Sequence, residues 1–157
     1  MRTEDLQIGD LLRVNHDGLC IKKGTVVTVQ GIDGSNNFPE KGLYGVADCR
    51  PLDESQVQGG IWLDYLDPIP ITPEILEKNG FGKFEFPNIE KQHKWYLPLD
   101  TLSYISLWTR ELNDNSSNGW MCNIEKQPAV SGCFMIVNIH DLQHLIKLVE
   151  IDKEIQI

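Results

Sequence analysis

The segment "TVVTVQGI" alternates along its length. Val27 and Val29, with Gly31 at the end, share one face, and Val26, Thr28 and Gln30 share the other. That is the pattern of a half-buried strand. "DLLRV", "YGVADCRPL" and "GIWLDYLDPI" are likewise short and rich in β-branched or aromatic residues. Turn clusters separate them: "NHDG", "DGSNNFPEKG" and "DESQVQGG". The first 70 residues therefore read as all-β. Closing so many short strands removes exposed edges, so the expected form for residues 1–70 is a small SH3-like β-barrel.

The pattern changes at "DPIPITPEILEKNGF". Pro68 and Pro70 deny backbone donors and hold the chain extended. Thr72 is placed as an N-cap, Pro73 as the first helical residue and Glu74 as an anion at the positive end. Asn79-Gly80 supplies a left-handed stop, after which Phe81 can fold back on Ile75 or Leu76. Such a short helix must dock to persist, most simply on a sheet. Five strand candidates follow: "GKFEF", "HKWYLPL", "SYISLWTREL", "GWMCNIE" and "GCFMIVNI". The loops "NDNSSNG" and "KQPAVSG" are short enough to imply antiparallel neighbours. Pro98 is expected to mark an edge strand, and "KEIQI" at the end alternates like a strand. The fold class is α+β: an SH3-like barrel over 1–70, then an antiparallel sheet flanked by two helices over 71–157.

The second helix, near residues 138–150, raises a question of chemistry. His140 and His144 stand four apart with Asp141 beside them, close to the spacing of a zinc protease helix. At 100° per residue, Leu142, Leu145, Ile146 and Val149 form the buried stripe. His140, His144 and Lys147 fall opposite, on the side expected to meet water, with Asn138 or Asp141 capping the start. Zinc also needs a third ligand and a shielded pocket. Only 13 residues follow His144, and Glu150 is rotated away from the imidazoles. The pair is thus a weak metal candidate, and a metal-dependent hydrolase built on it is the least favoured reading. No phosphate loop or nucleophile elbow is present: "GIDGSN" lacks a following helix, and "NGFGKF" follows one. His16 with Cys20, and the acidic residues Asp53, Glu54, Asp64 and Asp67, read as loop groups. No catalytic residue and no cofactor are assigned.

Aromatic placement is more informative. Trp62, Trp95, Trp108 and Trp120 all lie in strand candidates. In "YISLWTRE", the aliphatic residues Ile105 and Leu107 take one face. Tyr104, Trp108 and Arg110 then take the other, and these are the residue types enriched at binding hot spots.

Composition narrows the alternatives. The 157 residues are 41% hydrophobic and 24% charged, a globular balance. The net charge of −9 opposes phosphate neutralisation, so nucleic acid is an unfavoured partner. The acid is spread along the chain: residues 1–70 hold 6 basic and 11 acidic side chains, and 71–157 hold 8 and 12. "MRTEDLQIGD" has no apolar core of a signal peptide, and no apolar run approaches a membrane span. A cytoplasmic protein without membrane contact is expected. Its four cysteines, Cys20, Cys49, Cys122 and Cys133, read as reduced thiols, with Cys122 and Cys133 in the core.

Two segments resemble a family of small uncharacterised proteins of gut bacteria and their phages. The family forms read roughly "PIPLTEEILLKCGF" and "YVHQLQNLYFALTGEEL". Ile69-Pro70-Ile71-Thr72, Glu74-Ile75-Leu76 and Gly80-Phe81 match the first. His140, Leu142-Gln143 and Leu145 match the second. His144 stands where the pattern has Asn, so a paired-histidine motif is not a property of the family. Asp152 stands where it has Gly after the helix, and Asp also tolerates a left-handed turn. The resemblance implies no activity, cofactor or site residue; it implies a cytosolic protein associated with phages or mobile elements. The expectation is a non-catalytic binding or adaptor module for a protein partner. The alternative is nucleic-acid binding through the barrel.

Overall fold

A computed structural model describes residues 5–17, 21–38, 43–85, 93–109, 119–126 and 130–157. Its contacts divide the chain into two compact units, Met1–Ile69 and Pro70–Ile157. The fold is α+β, and the described residues form two antiparallel five-stranded sheets and two α-helices. Neither helix is long and apolar enough to cross a membrane.

The first unit holds β1 (Leu11–Val14), β2 (Val26–Phe38), β3 (Leu43–Pro51), β4 (Gly59–Trp62) and β5 (Leu66–Pro68), in the sheet order β4-β3-β2-β1-β5. Alternation sets its core. Leu12, Val14, Val27, Val29, Ala47 and Cys49 are buried, with Leu6, Ile21, Leu63 and Leu66 completing the cluster. Arg13, Asp48 and Arg50, between those inward positions, are exposed. The aspartate turn that enters β1 is tied locally: the Gln7 amide donates to the Asp10 carboxylate at 2.8 Å, and the Gly9 amide donates to the Val29 carbonyl. Gly9 takes φ of +100°, which a side chain would oppose.

Two expectations change here. The sheet is open, not a closed barrel. Closure requires the outer strands to pair, and the four-residue β4 instead runs into a 3-10 turn, Leu63–Tyr65, that leads into β5. β2 is also far longer than a short strand. Its pairing with β3 slips between Val29 and Gly31 and again between Asp33 and Asn37. Such bulges bend a strand and keep it in the sheet, so β2 runs on into the stretch read as a turn, with Asp33, Asn37 and Phe38 paired to β3.

The second unit opens with α1 (Pro73–Lys78). Thr72 caps it through a 3.4 Å contact from the Ile75 amide, with Pro73 first and Glu74 in the opening turn. Hydrogen bonding by its own backbone amide, and then by Thr72, holds the Glu74 carboxyl below the usual range. The helix stops as its sequence requires. Gly80 takes φ of +78°, its amide donates to the Glu77 carbonyl, and the Phe81 amide donates to that of Leu76.

β6 (Gly82–Glu85), β7 (His93–Pro98), β8 (Tyr104–Thr109), β9 (Trp120–Lys126) and β10 (Val130–Ile136) then form a sheet in reverse sequence order, β10-β9-β8-β7-β6. Its inner face buries Trp95, Leu97, Ile105, Leu107, Trp120, Cys122, Ile124 and Ile136. β7 is therefore not an edge strand. Pro98 is accommodated because it is the last residue of β7, beyond the β6 ladder, and pairs only with Tyr104 of β8.

α2 (Ile139–Leu148) follows an Asn138 N-cap. The Asp141 carboxylate accepts the Val137 and Asn138 amides, each at 2.9 Å, and so holds the helix start from within. Leu142, Leu145, Ile146 and Val149 are buried, as the stripe requires. The left-handed exit lies at Glu150 (φ +55°), not Asp152. The Glu150 amide donates to the Lys147 carbonyl, and that of Ile151 to Ile146. The final residues form no strand, though Ile155 is buried. Asn79, itself buried, fastens them: its side-chain amide donates to the Ile75 and Gln156 carbonyls, both at 2.7 Å, and its oxygen accepts the Gln156 amide at 2.8 Å. Lys78 adds a bond from Nζ to the Ile157 carbonyl.

Candidate binding face on the second sheet

The inward turn of Trp95, Leu97, Ile105 and Leu107 commits their neighbours to the opposite face. Register then assembles rows across the five strands. One row runs Phe84, Lys94, Trp108, Met121, Met135. The next runs Gly82, Tyr96, Ser106, Asn123, Cys133, and a third runs Pro98, Tyr104, Glu125, Ser131. The first row is apolar apart from Lys94, and the other two set Tyr96 and Tyr104 among small or polar groups.

Exposure is uneven along them. Phe84 and Met135 are 53% and 55% exposed, and Tyr96 is 38% exposed. Trp108 and Tyr104 are half-buried by their neighbours. The Lys94 ammonium stands 4.5 Å from the Trp108 ring centroid, within cation–π range. The indole N–H of Trp108 donates to the Ser106 hydroxyl at 3.3 Å. Tyr96 and Tyr104 tilt together with centroids 5.2 Å apart. A hydrogen bond to Glu125, then burial and the charge of Glu125, push the Tyr104 phenol above the ordinary tyrosine range. Beside Tyr96, a pocket of about 430 Å³ opens between Phe84, Gly82, Lys83 and Lys94.

Tyr104 and Trp108 thus share the face that alternation assigned them, whereas Arg110 lies outside the described residues. Phe84, Lys94 and Tyr96 were missed. The signal was available: with Trp95 and Leu97 inward in "HKWYLPL", Lys94 and Tyr96 must point out.

The histidine pair is a different arrangement from the one expected. His140 is buried at 7% exposure, and only His144 is half-exposed. Among the described residues the His140 Nδ1 has no hydrogen-bond partner, while Nε2 lies 3.5 Å from the Asp141 carboxylate. The two rings meet edge to face at 5.9 Å. Helical periodicity placed His140 correctly around the helix, but it does not report what else covers that side. Among the described residues no group of three His, Cys, Asp or Glu is placed to hold a metal.

The remaining candidates are structural. His16 stacks on Tyr65 at 4.2 Å, and Cys20 lies outside the described residues. Asn15 donates to the Asp67 carboxylate at 2.7 Å and to the Asp64 carbonyl. Asp53 is held below the usual carboxylate range by Ser55, through its side chain and then its backbone, and by Gln56. Glu54 is exposed. Cys49 and Cys122 are fully buried, and burial pushes each thiol up to about 12, helped by Asp48 and by Cys133 respectively. Cys133 corrects the expectation of a core thiol: it is exposed, because it pairs with Asn123 and so lies on the face opposite Cys122.

Comparison with protein-family models, with curated proteins and with solved structures gives no match, so the functional reading rests on these side chains.

Proposed function

We propose that the chain is a non-catalytic binding module that docks a protein segment on the outer face of the second sheet. The observation that carries this is the company of Phe84, Tyr96, Tyr104 and Trp108 on one face, beside an apolar pocket with Lys94 at its rim. Large rigid aromatics next to a pocket are what anchor partner side chains. Lys94 brings positive charge to this face of an otherwise acidic chain. The partner segment therefore pairs an apolar anchor for the pocket with neighbouring carboxylates.

The first unit has a supporting role in this reading, as an SH3-like module. In favour are its strand order, its long bulged β2, and the 3-10 turn that returns the chain to pair β5 with β1. The family resemblance to small proteins of gut bacteria and their phages is compatible with a mobile-element adaptor that acts in the cytoplasm.

Selection of a displayed random-peptide library on the immobilised protein tests the docking face. The expected consensus combines an aromatic or aliphatic anchor with acidic residues. Binding of the selected peptides should fall at least about tenfold in Phe84→Ser and in Tyr96→Ser, both exposed positions that tolerate polarity. Peptides that bind these variants as tightly as the parent, or a selection without consensus, would remove the reading.

A further inference from the structure

The far end of the same face carries a second kind of chemistry. The chain has three methionines, and two of them, Met121 and Met135, stand directly opposite each other across the β9–β10 ladder. Cys133 projects on the same face one ladder step away, and its Sγ lies 3.0 Å from the Met121 Sδ. Met135 and Cys133 are exposed, and Met121 is half-buried. Two soft sulfurs thus touch at an accessible sheet margin, with the thioether chain of Met135 beside them on the same face.

We propose that Met121, Cys133 and Met135 form a site for a soft monovalent d10 cation, Cu(I) in the first instance. Thiolate and thioether ligands select Cu(I) over the hard and borderline divalent ions. One thiolate neutralises the single positive charge, and two thioethers complete a three-sulfur set without added charge. Binding exchanges one proton: the Cys133 S–H bond breaks, a Cu–S bond forms, and the proton leaves to solvent. No change of oxidation state is involved. Met135 completes the set by swinging its thioether from Gly119, over which its terminal methyl lies, toward Cys133, a movement its largely exposed side chain permits. The other two thiols with described surroundings, Cys49 and Cys122, are buried and held protonated. The cation would also sit beside Trp108, the cross-strand partner of Met121. This assignment is independent of peptide docking, since it needs no partner protein.

The test uses the full chain with Cys20→Ser, labelled at the methionine methyls, under anaerobic conditions. Ag(I), a redox-inert probe of the same coordination preference, is added, and then Cu(I) in competition with a Cu(I) chelator. The expected result is one ion per chain, displaced resonances for two of the three methionine methyls, and quenched Trp108 emission. Met121→Leu and Met135→Leu should each weaken binding at least about tenfold, and Cys133→Ser should remove it. Methyl resonances that stay in place while a thiol binds the ion would overturn the proposal, as would affinity unchanged in the double leucine variant. The methyl spectrum of the parent protein decides the matter even where a variant fails to fold.

Discussion

The phenol of Tyr104 is hydrogen-bonded to the carboxylate of Glu125, its direct partner across the β8–β9 ladder. That bond, with the adjacent negative charge, favours the neutral phenol in the folded protein. The phenol's value is raised, so its contribution to stability is whole below the ordinary tyrosine value and is lost as pH rises through the folded one. Glu125→Gln should bring the ionisation of Tyr104 down towards the ordinary range. Ultraviolet titration of the parent and the variant, each with its Tyr104→Phe counterpart subtracted, measures this. An unmoved titration would show that the carboxylate does not govern it.

Asn79 is predicted to be the most sensitive polar position of the second unit. Its side chain serves the Ile75 carbonyl and both backbone groups of Gln156 from a buried site. Asn79→Ala removes three hydrogen bonds, each worth about 0.5–1.5 kcal/mol net, so a loss of about 2–3 kcal/mol is expected in urea denaturation. Asn79→Asp should fare no better, because a carboxylate cannot donate to the two carbonyls.

Glu150 occupies the left-handed region at the exit of α2, where most helices place glycine. Glu150→Gly should therefore stabilise the chain by about 1 kcal/mol, read as a raised thermal midpoint. Glu150→Val should do the reverse.

His140 is buried, and among the described residues its Nδ1 has no partner. An apolar replacement of similar reach removes that orphaned group, so His140→Leu is expected to leave stability unchanged or to raise it by about 1 kcal/mol. If the imidazole served a structural metal instead, the same variant would unfold more readily, and adding a chelator to the parent would reproduce the loss.

Much of this is legible in the sequence itself. The caps of α1 are sequence-local, and Thr72, Pro73 and Gly80 each act where the chain reads them. Strand alternation was equally legible, and it placed Val27, Val29, Ile105 and Leu107 inward. The failures share one cause: they depend on neighbours distant in sequence. Pro98 looked like an edge because the pattern cannot say where the β6 ladder ends. Cys133 looked internal because "GCFMIV" is apolar throughout, and only its register against β9 turns the thiol outward. His140 was expected wet because periodicity gives an azimuth and not the surroundings at that azimuth. Closure of the first sheet was expected because edges are costly, yet β4 gives way to the 3-10 turn before it could pair with β5. The docking face followed the same division. Tyr104 and Trp108 came from one strand's alternation, whereas Phe84, Lys94 and Tyr96 joined them only through pairing.

The Asn79 knot joins positions 77 residues apart. On the ribosome, α1 leaves the exit tunnel before Gln156 is made, so Asn79 stays hydrated and its knot cannot close until the end of the unit's synthesis. The first unit has no such delay, because β5 reaches β1 while the second sheet is still being translated. Vectorial synthesis thus gives the chain an order of assembly, first unit before second, and leaves the later one exposed to chaperones and proteases for the longer time.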